Sequence, residues 1–345
     1  MARTAFVTGS AGFIGFHLCK RLLADGWTVI GLDAMTDYYD VTLKQRRHAM
    51  LLQTSGFTAI EKRLEAPGVL MEVFETHKPD AVIHLAAQAG VRYSIDAPRS
   101  YVEGNLIGTF ELLEAARAYP PAHMLLASTS SAFGANTVMP YAETHKADTQ
   151  MSFYAATKKA TENMAHSYAH LYDLPTTMFR FFTVYGPWGR PDMALFKFTS
   201  AILENRPIDV YNHGNMQRDF TYIDDLVEGI SRLINAVPVR PATPDQISTV
   251  DSLSPVAPFR VVNIGNGQPS QLGTFIEAIE AALGQTAEKN YMDMQPGDVP
   301  ATWADDSLLR ELVGAIPRTE LQTGVQAFVD WYRSDYQPKK VQNRL

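Results

Sequence analysis

Tyr154 and Lys158, in the run Tyr154-Ala155-Ala156-Thr157-Lys158, share one face and stand a turn apart if the segment is helical. Tyrosine, with an ordinary pKa near ~10, is a weak base at neutral pH. An ammonium beside it, together with a positively charged hydride acceptor, would stabilise the phenolate and lower that value. The pair is then suited to taking a proton from an alcohol while a hydride leaves for an acceptor. Tyrosine and lysine at this spacing also occur as ordinary surface pairs, so their surroundings decide the reading. Upstream, Ser128-Thr129-Ser130-Ser131-Ala132-Phe133-Gly134 follows an apolar stretch. Thr129 falls at the end of that stretch, where its hydroxyl would fix the alcohol.

The hydride acceptor is suggested by the N-terminal run Thr8-Gly9-Ser10-Ala11-Gly12-Phe13-Ile14-Gly15. Gly9 permits a tight turn, Gly12 a close backbone approach to a pyrophosphate, and Gly15 close helix–strand packing. The phosphates would lie over the start of the helix at Phe13 and Ile14, where free N–H groups favour an anion. Asp33, at the end of the next apolar stretch, would accept from the adenosine ribose and repel a 2′-phosphate, which favours NAD over NADP. Its alternative is a turn-capping aspartate ahead of Ala34 and Met35.

These residues need a scaffold, and the periodicity supplies one. Strands are expected at 4–8, 27–32, 81–85, 124–127, 177–182 and 261–264. Helices are expected at 13–24, 69–77, 100–118, 155–171, 223–234 and 272–283. Such alternation implies an α/β fold, a doubly wound parallel sheet of the Rossmann type covered on both faces. Beyond Tyr185 the breakers Pro187, Gly189, Pro191, Pro207 and Gly214 indicate a smaller, irregular, ligand-covering lobe. Residues 237–259 hold five prolines and read as an extended, mobile surface loop. The expected division is 1–182 with about 219–262 as the dinucleotide domain, and 183–218 with 263–345 as a mixed α/β substrate lobe.

At 345 residues, with 46% hydrophobic and 19% charged residues, the chain suits two globular lobes. A net charge of −7 argues against a nucleic-acid partner. Cys19 is the only cysteine, so no internal disulfide forms and a reducing compartment is expected. No apolar run is long enough to span a bilayer, and the N-terminus does not read as a signal peptide. The expectation is a cytoplasmic enzyme without a membrane partner.

The chain resembles the extended short-chain dehydrogenase/reductase family, and within it the nucleotide-sugar epimerases, most of all those acting on UDP-glucuronate at carbon 4. The resemblance is carried by FIGFHLCKRLL (13–23), TDYYDVTLK (36–44), HLAAQAGVRYS (84–94), YAATKKATE (154–162), RFFTVYGPWGRPDMALF (180–196), MQRDFTYIDD (216–225) and MQPGDVPAT (294–302). It implies a bound NAD, with no metal, that takes a hydride from carbon 4 and returns it to the other face. Thr129 and Tyr154 would then hold the 4-hydroxyl, and Lys158 the nicotinamide ribose. Leu85, Ala86, Ala87 and Gln88 would line the cofactor, with Asn105 near it and the sugar phosphates. Asp209, Val210 and Tyr211 would hold the uracil, Arg218 the diphosphate and Asp298 the uridine ribose. Arg218 has a second reading, as a salt bridge to Asp219. A homodimer through helices 100–118 and 155–171 is also implied; their apolar residues Leu106, Phe110, Leu113, Met164 and Leu171 would otherwise pack on the sheet.

Relatives that eliminate water carry an acidic pair where this chain has Ser130-Ser131, and relatives that decarboxylate UDP-glucuronate carry a glutamate in the same segment. Two serines are ineffective acids or bases at neutral pH, which leaves epimerisation. A uronate needs a cation, and Arg190 is the candidate clamp, assisted by Thr183, Ser130 and Ser131. Three positions depart from the family pattern: Ala132-Phe133 replaces Val-Tyr, Ala34 replaces an asparagine, and Arg63 lies where an aspartate near adenine is common. The alternatives kept open are a UDP-glucuronate decarboxylase, a neutral-sugar epimerase and a non-catalytic nucleotide-binding protein.

Overall fold

A computed structural model describes residues 2–295 and 297–337; residues 338–345, assigned above to the C-terminal lobe, lie outside the described residues. Thirteen strands are described, in chain order: β1 Thr4–Thr8, β2 Thr28–Leu32, β3 Phe57–Ile60, β4 Ala81–His84, β5 His123–Thr129, β6 Thr176–Phe181, β7 Thr183–Tyr185, β8 Ile208–Tyr211, β9 Gln217–Tyr222, β10 Phe259–Ile264, β11 Pro269–Gln271, β12 Lys289–Met292 and β13 Ala301–Thr302. Seven form one parallel sheet in the order β10-β6-β5-β4-β1-β2-β3. Its central strands, such as Ala5-Phe6-Val7 and Ala81-Val82-Ile83, are buried on both faces, which is why they read as continuous apolar runs.

Helix Phe13–Ala24 covers one face beside Ile223–Leu233, burying Phe16 and Leu22 against Leu226 and Ile230. Helices Val69–His77, Gly108–Ala118 and Phe153–Tyr172 cover the other with Phe74, Leu112, Leu113 and Ala165. Strand order reverses between β1 and β4, so a crevice opens above their C-terminal ends. A smaller lobe caps it, with β7, β9, β11 and β13 in one sheet, β8 paired to β12, and a core of Phe196, Phe220, Phe275, Phe328 and Trp331.

Several expected elements differ from those observed. β5 extends to Thr129 because its ladder with β6 continues through Ser128↔Arg180 and Thr129↔Phe181. The long helix starts at Phe153, where the Ser152 hydroxyl accepts from the Ala155 N–H at 3.1 Å. The helix expected at 100–118 is instead Pro98–Tyr101, a π-helical turn Val102–Ile107 and helix Gly108–Ala118. Helices Val41–Leu52, Ala194–Leu203 and Leu321–Trp331 were not anticipated. Val41–Leu52 escapes the pattern because its buried face includes Lys44 and Arg47 as well as Leu43 and Leu51.

The proline-rich stretch expected to be mobile is tied down. Arg240 donates to Asp173 and the His170 carbonyl, Arg260 grips Asp251 at 2.8 and 2.9 Å, and Ala257 is fully buried. β3, at the edge of the sheet beside β2, is not among the expected strands; Glu61 to Glu65 follow it, and exposed Arg63 pairs with Glu65.

Candidate active site

The glycine turn begins at the end of β1. Gly9 adopts φ +72°, and a Cβ there would sit 2.9 Å from the Ala86 nitrogen, so the turn lies directly on the loop after β4. A Cβ on Gly15 would fall 2.0 Å from the Gly9 carbonyl oxygen, which explains the close seat of the helix on the turn. Asp33 ends β2 nearly buried; Oδ2 accepts from the Ala11 N–H at 3.1 Å and Oδ1 from the Met35 N–H at 2.9 Å. It therefore caps its own turn and also pins the glycine loop. The helix starting at Phe13 has no side-chain cap, so its first N–H groups face the crevice. A loop that only glycine fits, an uncapped helix start and an acid at the next strand end together fit a dinucleotide.

Leu85 to Gln88 form the opposite wall. The Thr8 hydroxyl accepts from the Leu85 and Ala86 N–H groups, both at 3.1 Å. Asn105 lies in the π-helical turn and is buried: its Oδ1 accepts from Gln88 N–H at 2.7 Å, and its Nδ2 donates to the Gln88 carbonyl and to Thr157 Oγ1, both at 3.1 Å. Both amide hydrogens are thus used in bracing the loop after β4 against the helix of Tyr154, a role the sequence did not reveal.

Thr129 and Tyr154 meet at the end of β5, and Lys158 is buried one turn beyond Tyr154 on its helix. Thr129 caps the short 3-10 turn Ser130–Phe133, accepting from the Ser131 N–H at 3.2 Å. Burial raises the Tyr154 pKa, against the Thr129 side chain and the Arg190 charge, which both favour the phenolate. Within the protein itself the net shift is upward. Burial pulls Lys158 down to about 8, with Glu162 opposing that pull. Glu162 is buried, and although burial would raise it, Arg180 holds it down to about 2.

Phe133, one of the departures from the family pattern, is fully buried between Tyr141, stacked at 4.3 Å, and the Arg180 guanidinium at 4.4 Å.

Arg190 and Thr183 line one small cavity together with Phe13, so the glycine loop and the capping lobe meet there. Arg190 is engaged by Asp192, with Nε at 3.0 Å and Nη2 at 2.5 Å from its two oxygens. Arg47 links the two lobes behind it: Nη1 donates to the Ala11 carbonyl at 3.0 Å and Nη2 to the Trp188 carbonyl at 2.5 Å. Arg47 sits in the unanticipated helix and carries no motif signal of its own.

The remaining residues lie farther along the cleft. Arg218 on β9 donates to the carbonyls of Gln217, Val299 and Pro300 and makes no salt bridge to Asp219. Asp219 instead accepts from the N–H groups of Asn266, Gly267 and Ala304. Asp298 pairs with Arg92 at 3.1 Å, and the Arg92 guanidinium lies 4.8 Å from the Tyr211 ring, beside Val210 at the end of β8. Arg92 is a further residue that sequence reasoning passed over, although it lies within a quoted segment.

Comparison with known proteins agrees with this geometry. The model of the NAD dependent epimerase/dehydratase family matches residues 5–243. The chain is 56% identical to the "Probable UDP-glucuronate 4-epimerase" of Rhizobium meliloti (strain 1021), covering 96% of this chain and 97% of that protein. It is 52% identical to "Protein CapI" of Staphylococcus aureus, with 96% and 98% covered. Among solved structures, the UDP-glucuronic acid 4-epimerase of Bacillus cereus in complex with UDP-glucuronic acid and NAD superposes with a TM-score of 0.85 at 31% identity, over 96% of this chain and 100% of that one. With a glycine turn at the end of β1, Thr129 and Tyr154 at the end of β5 and a strand order that reverses between them, the chain belongs to the NAD dependent epimerase/dehydratase family.

Proposed function

We propose that this protein is an NAD-dependent UDP-glucuronate 4-epimerase, interconverting UDP-glucuronate and UDP-galacturonate through a 4-keto intermediate. The observation that carries the reading is the meeting of Tyr154 with Thr129 and with the charge of Arg190, while Lys158 lies buried one turn beyond Tyr154 on the same helix. NAD, when bound, accepts the carbon 4 hydride and returns it, and its oxidised ring adds the positive charge that Tyr154 still needs. Gly9, Gly12, Phe13, Ile14, Gly15, Asp33 and the wall Leu85–Gln88 would hold it. The Lys158 ammonium donates no hydrogen bond to a protein group among the described residues, which supports a role holding ribose hydroxyls.

Tyr154 takes the proton of the 4-hydroxyl and Thr129 orients that hydroxyl. Arg190, Thr183, Ser130 and Ser131 surround the carboxylate, Arg218 meets the diphosphate, and Val210, Tyr211 and Asp298 meet the uridine. A 4-keto uronate is a β-keto acid, so holding its carboxylate out of alignment with the carbonyl suppresses loss of carbon dioxide. Incubation with UDP-glucuronate tests the reading: UDP-galacturonate should accumulate to a stable ratio without net NADH, whereas UDP-xylose or a 4-keto pentose as main product would establish a decarboxylase.

A homodimer and a cytoplasmic location complete the proposal. Leu113 is core, Met164 packs against it and Leu106 is half-buried, but Phe110 and Leu171 are 45% and 64% exposed on the two helices expected at the interface. Sedimentation of wild type and Phe110→Glu tests the dimer. No described helix is long and apolar enough to cross a membrane, and Cys19 is buried and unpaired.

A further inference from the structure

Asp192 occupies one edge of the Arg190 guanidinium. Its Oδ1 takes the Nε–H at 3.0 Å and its Oδ2 the Nη2–H at 2.5 Å. Oδ2 also accepts from the Tyr38 hydroxyl at 3.2 Å, and the Arg190 guanidinium lies 5.8 Å from the centre of the Tyr38 ring. The backbone is fixed as well, because Arg47 Nη2 donates to the Gly189 carbonyl at 3.3 Å, one residue before Arg190. All three side chains are at least half-buried, so solvent does not loosen the arrangement.

A guanidinium presents its donors in one plane. With the Nε–Nη2 edge committed, the end edge of the guanidinium, one hydrogen each from Nη1 and Nη2, is the fork left to meet a ligand, and its plane and direction are set by the edge that Asp192 holds. An unrestrained arginine would rotate and follow a carboxylate through many torsions. We infer that Asp192, supported by Tyr38, is a positioning residue that fixes the Arg190 guanidinium and thereby the torsion of the sugar carboxylate, making it a determinant of epimerisation over decarboxylation. The inference rests on the uronate reading proposed above.

The reaction suppressed is explicit. In the 4-keto intermediate the C5–C6 bond breaks, its electron pair enters the C5–C4–O enolate, and C6 leaves as carbon dioxide. A proton from water then closes C5, giving UDP-4-keto-pentose, with the hydride from carbon 4 still on the cofactor. Alignment of the C5–C6 bond with the carbonyl π system permits this step, and a fixed carboxylate prevents it.

The test compares wild type, Asp192→Ala, Asp192→Asn and Tyr38→Phe, each with bound NAD, by chromatography of nucleotide sugars and by titration with UDP and with UDP-glucuronate. Asp192→Ala should bind UDP-glucuronate about tenfold more weakly, a loss near 1.4 kcal/mol, with UDP affinity unchanged. Its ratio of decarboxylated to epimerised product should rise at least about tenfold. Asp192→Asn, which keeps one acceptor, should fall between it and wild type, and Tyr38→Phe should shift the ratio the same way by about threefold. If Asp192→Ala also loses UDP, it is misfolded and Tyr38→Phe decides. An unchanged product ratio in a wild type that epimerises overturns the inference alone. Tighter binding of UDP-glucuronate by Asp192→Ala also overturns it, since Asp192 would then be a competitor for the fork. A wild type that makes no UDP-galacturonate removes the functional reading and this inference together.

Discussion

Glu162 lies one turn beyond Lys158 on the same helix, and Arg180 grips its carboxylate through Nε and Nη2 at 2.9 and 2.8 Å. Ser128 donates to it at 2.6 Å and Lys159 at 2.8 Å, so one buried anion ties the end of β5 and β6 to the helix that bears Tyr154. Its charge opposes the burial that pulls Lys158 down to about 8.

Removing that charge should have two separable effects. Glu162→Gln leaves Arg180 buried without its anion, and breaking such a pair costs about 3 kcal/mol or more, readable by denaturant titration. It also takes away the influence that holds Lys158 up. The limb of the kcat–pH profile that reports Lys158 losing its proton should therefore move to lower pH. A limb that stays in place would show that Glu162 acts on stability only.

Tyr154→Phe removes the proton acceptor while keeping the ring that packs 6.0 Å from Tyr101. Turnover of UDP-glucuronate should fall by about 10²–10⁴-fold, the usual worth of a positioned acid–base group. Bound NAD, read from the absorbance of the purified protein, should be retained. Loss of NAD along with activity would mean that Tyr154 is structural.

Glu143 offers a pH prediction away from the chemistry. Its carboxylate is buried, which pushes its pKa up to about 7, although the Asn263 N–H at 2.7 Å opposes the shift. Between the unfolded value near ~4.3 and about 7, the folded protein binds the extra proton. Stability therefore falls as pH rises through that window. Glu143→Gln keeps an acceptor for Asn263 but has nothing to titrate. The melting temperature of the variant relative to wild type should rise from pH 5 to pH 7.5; a constant difference would refute the assignment.

Gly9→Ala places a side chain at φ +72°, against the Ala86 backbone. The left-handed conformation costs an L-residue roughly 1–2 kcal/mol, and the contact at 2.9 Å adds to it. The turn should shift and NAD should no longer copurify, measured against wild type by absorbance; full retention of NAD would show that this approach is not required.

The sequence alone carried six of the seven strands of the parallel sheet, the glycine turn and the helix that spaces Tyr154 from Lys158, because each rests on local physics. Apolar runs form buried strands, glycines mark positive φ or close approach, and helical spacing aligns Tyr154 with Lys158. What remained hidden comes from residues brought together across the chain. Arg47 spans from the glycine loop to Trp188, Asp192 meets Tyr38, Arg92 meets Asp298, and Asn105 braces Gln88 against Thr157. No periodicity marks these polar side chains as buried, since what stabilises them is a partner distant in sequence. The direction of the Tyr154 shift belongs to the same class: spacing alone puts an ammonium near the phenol, and only packing sets how much burial works against it.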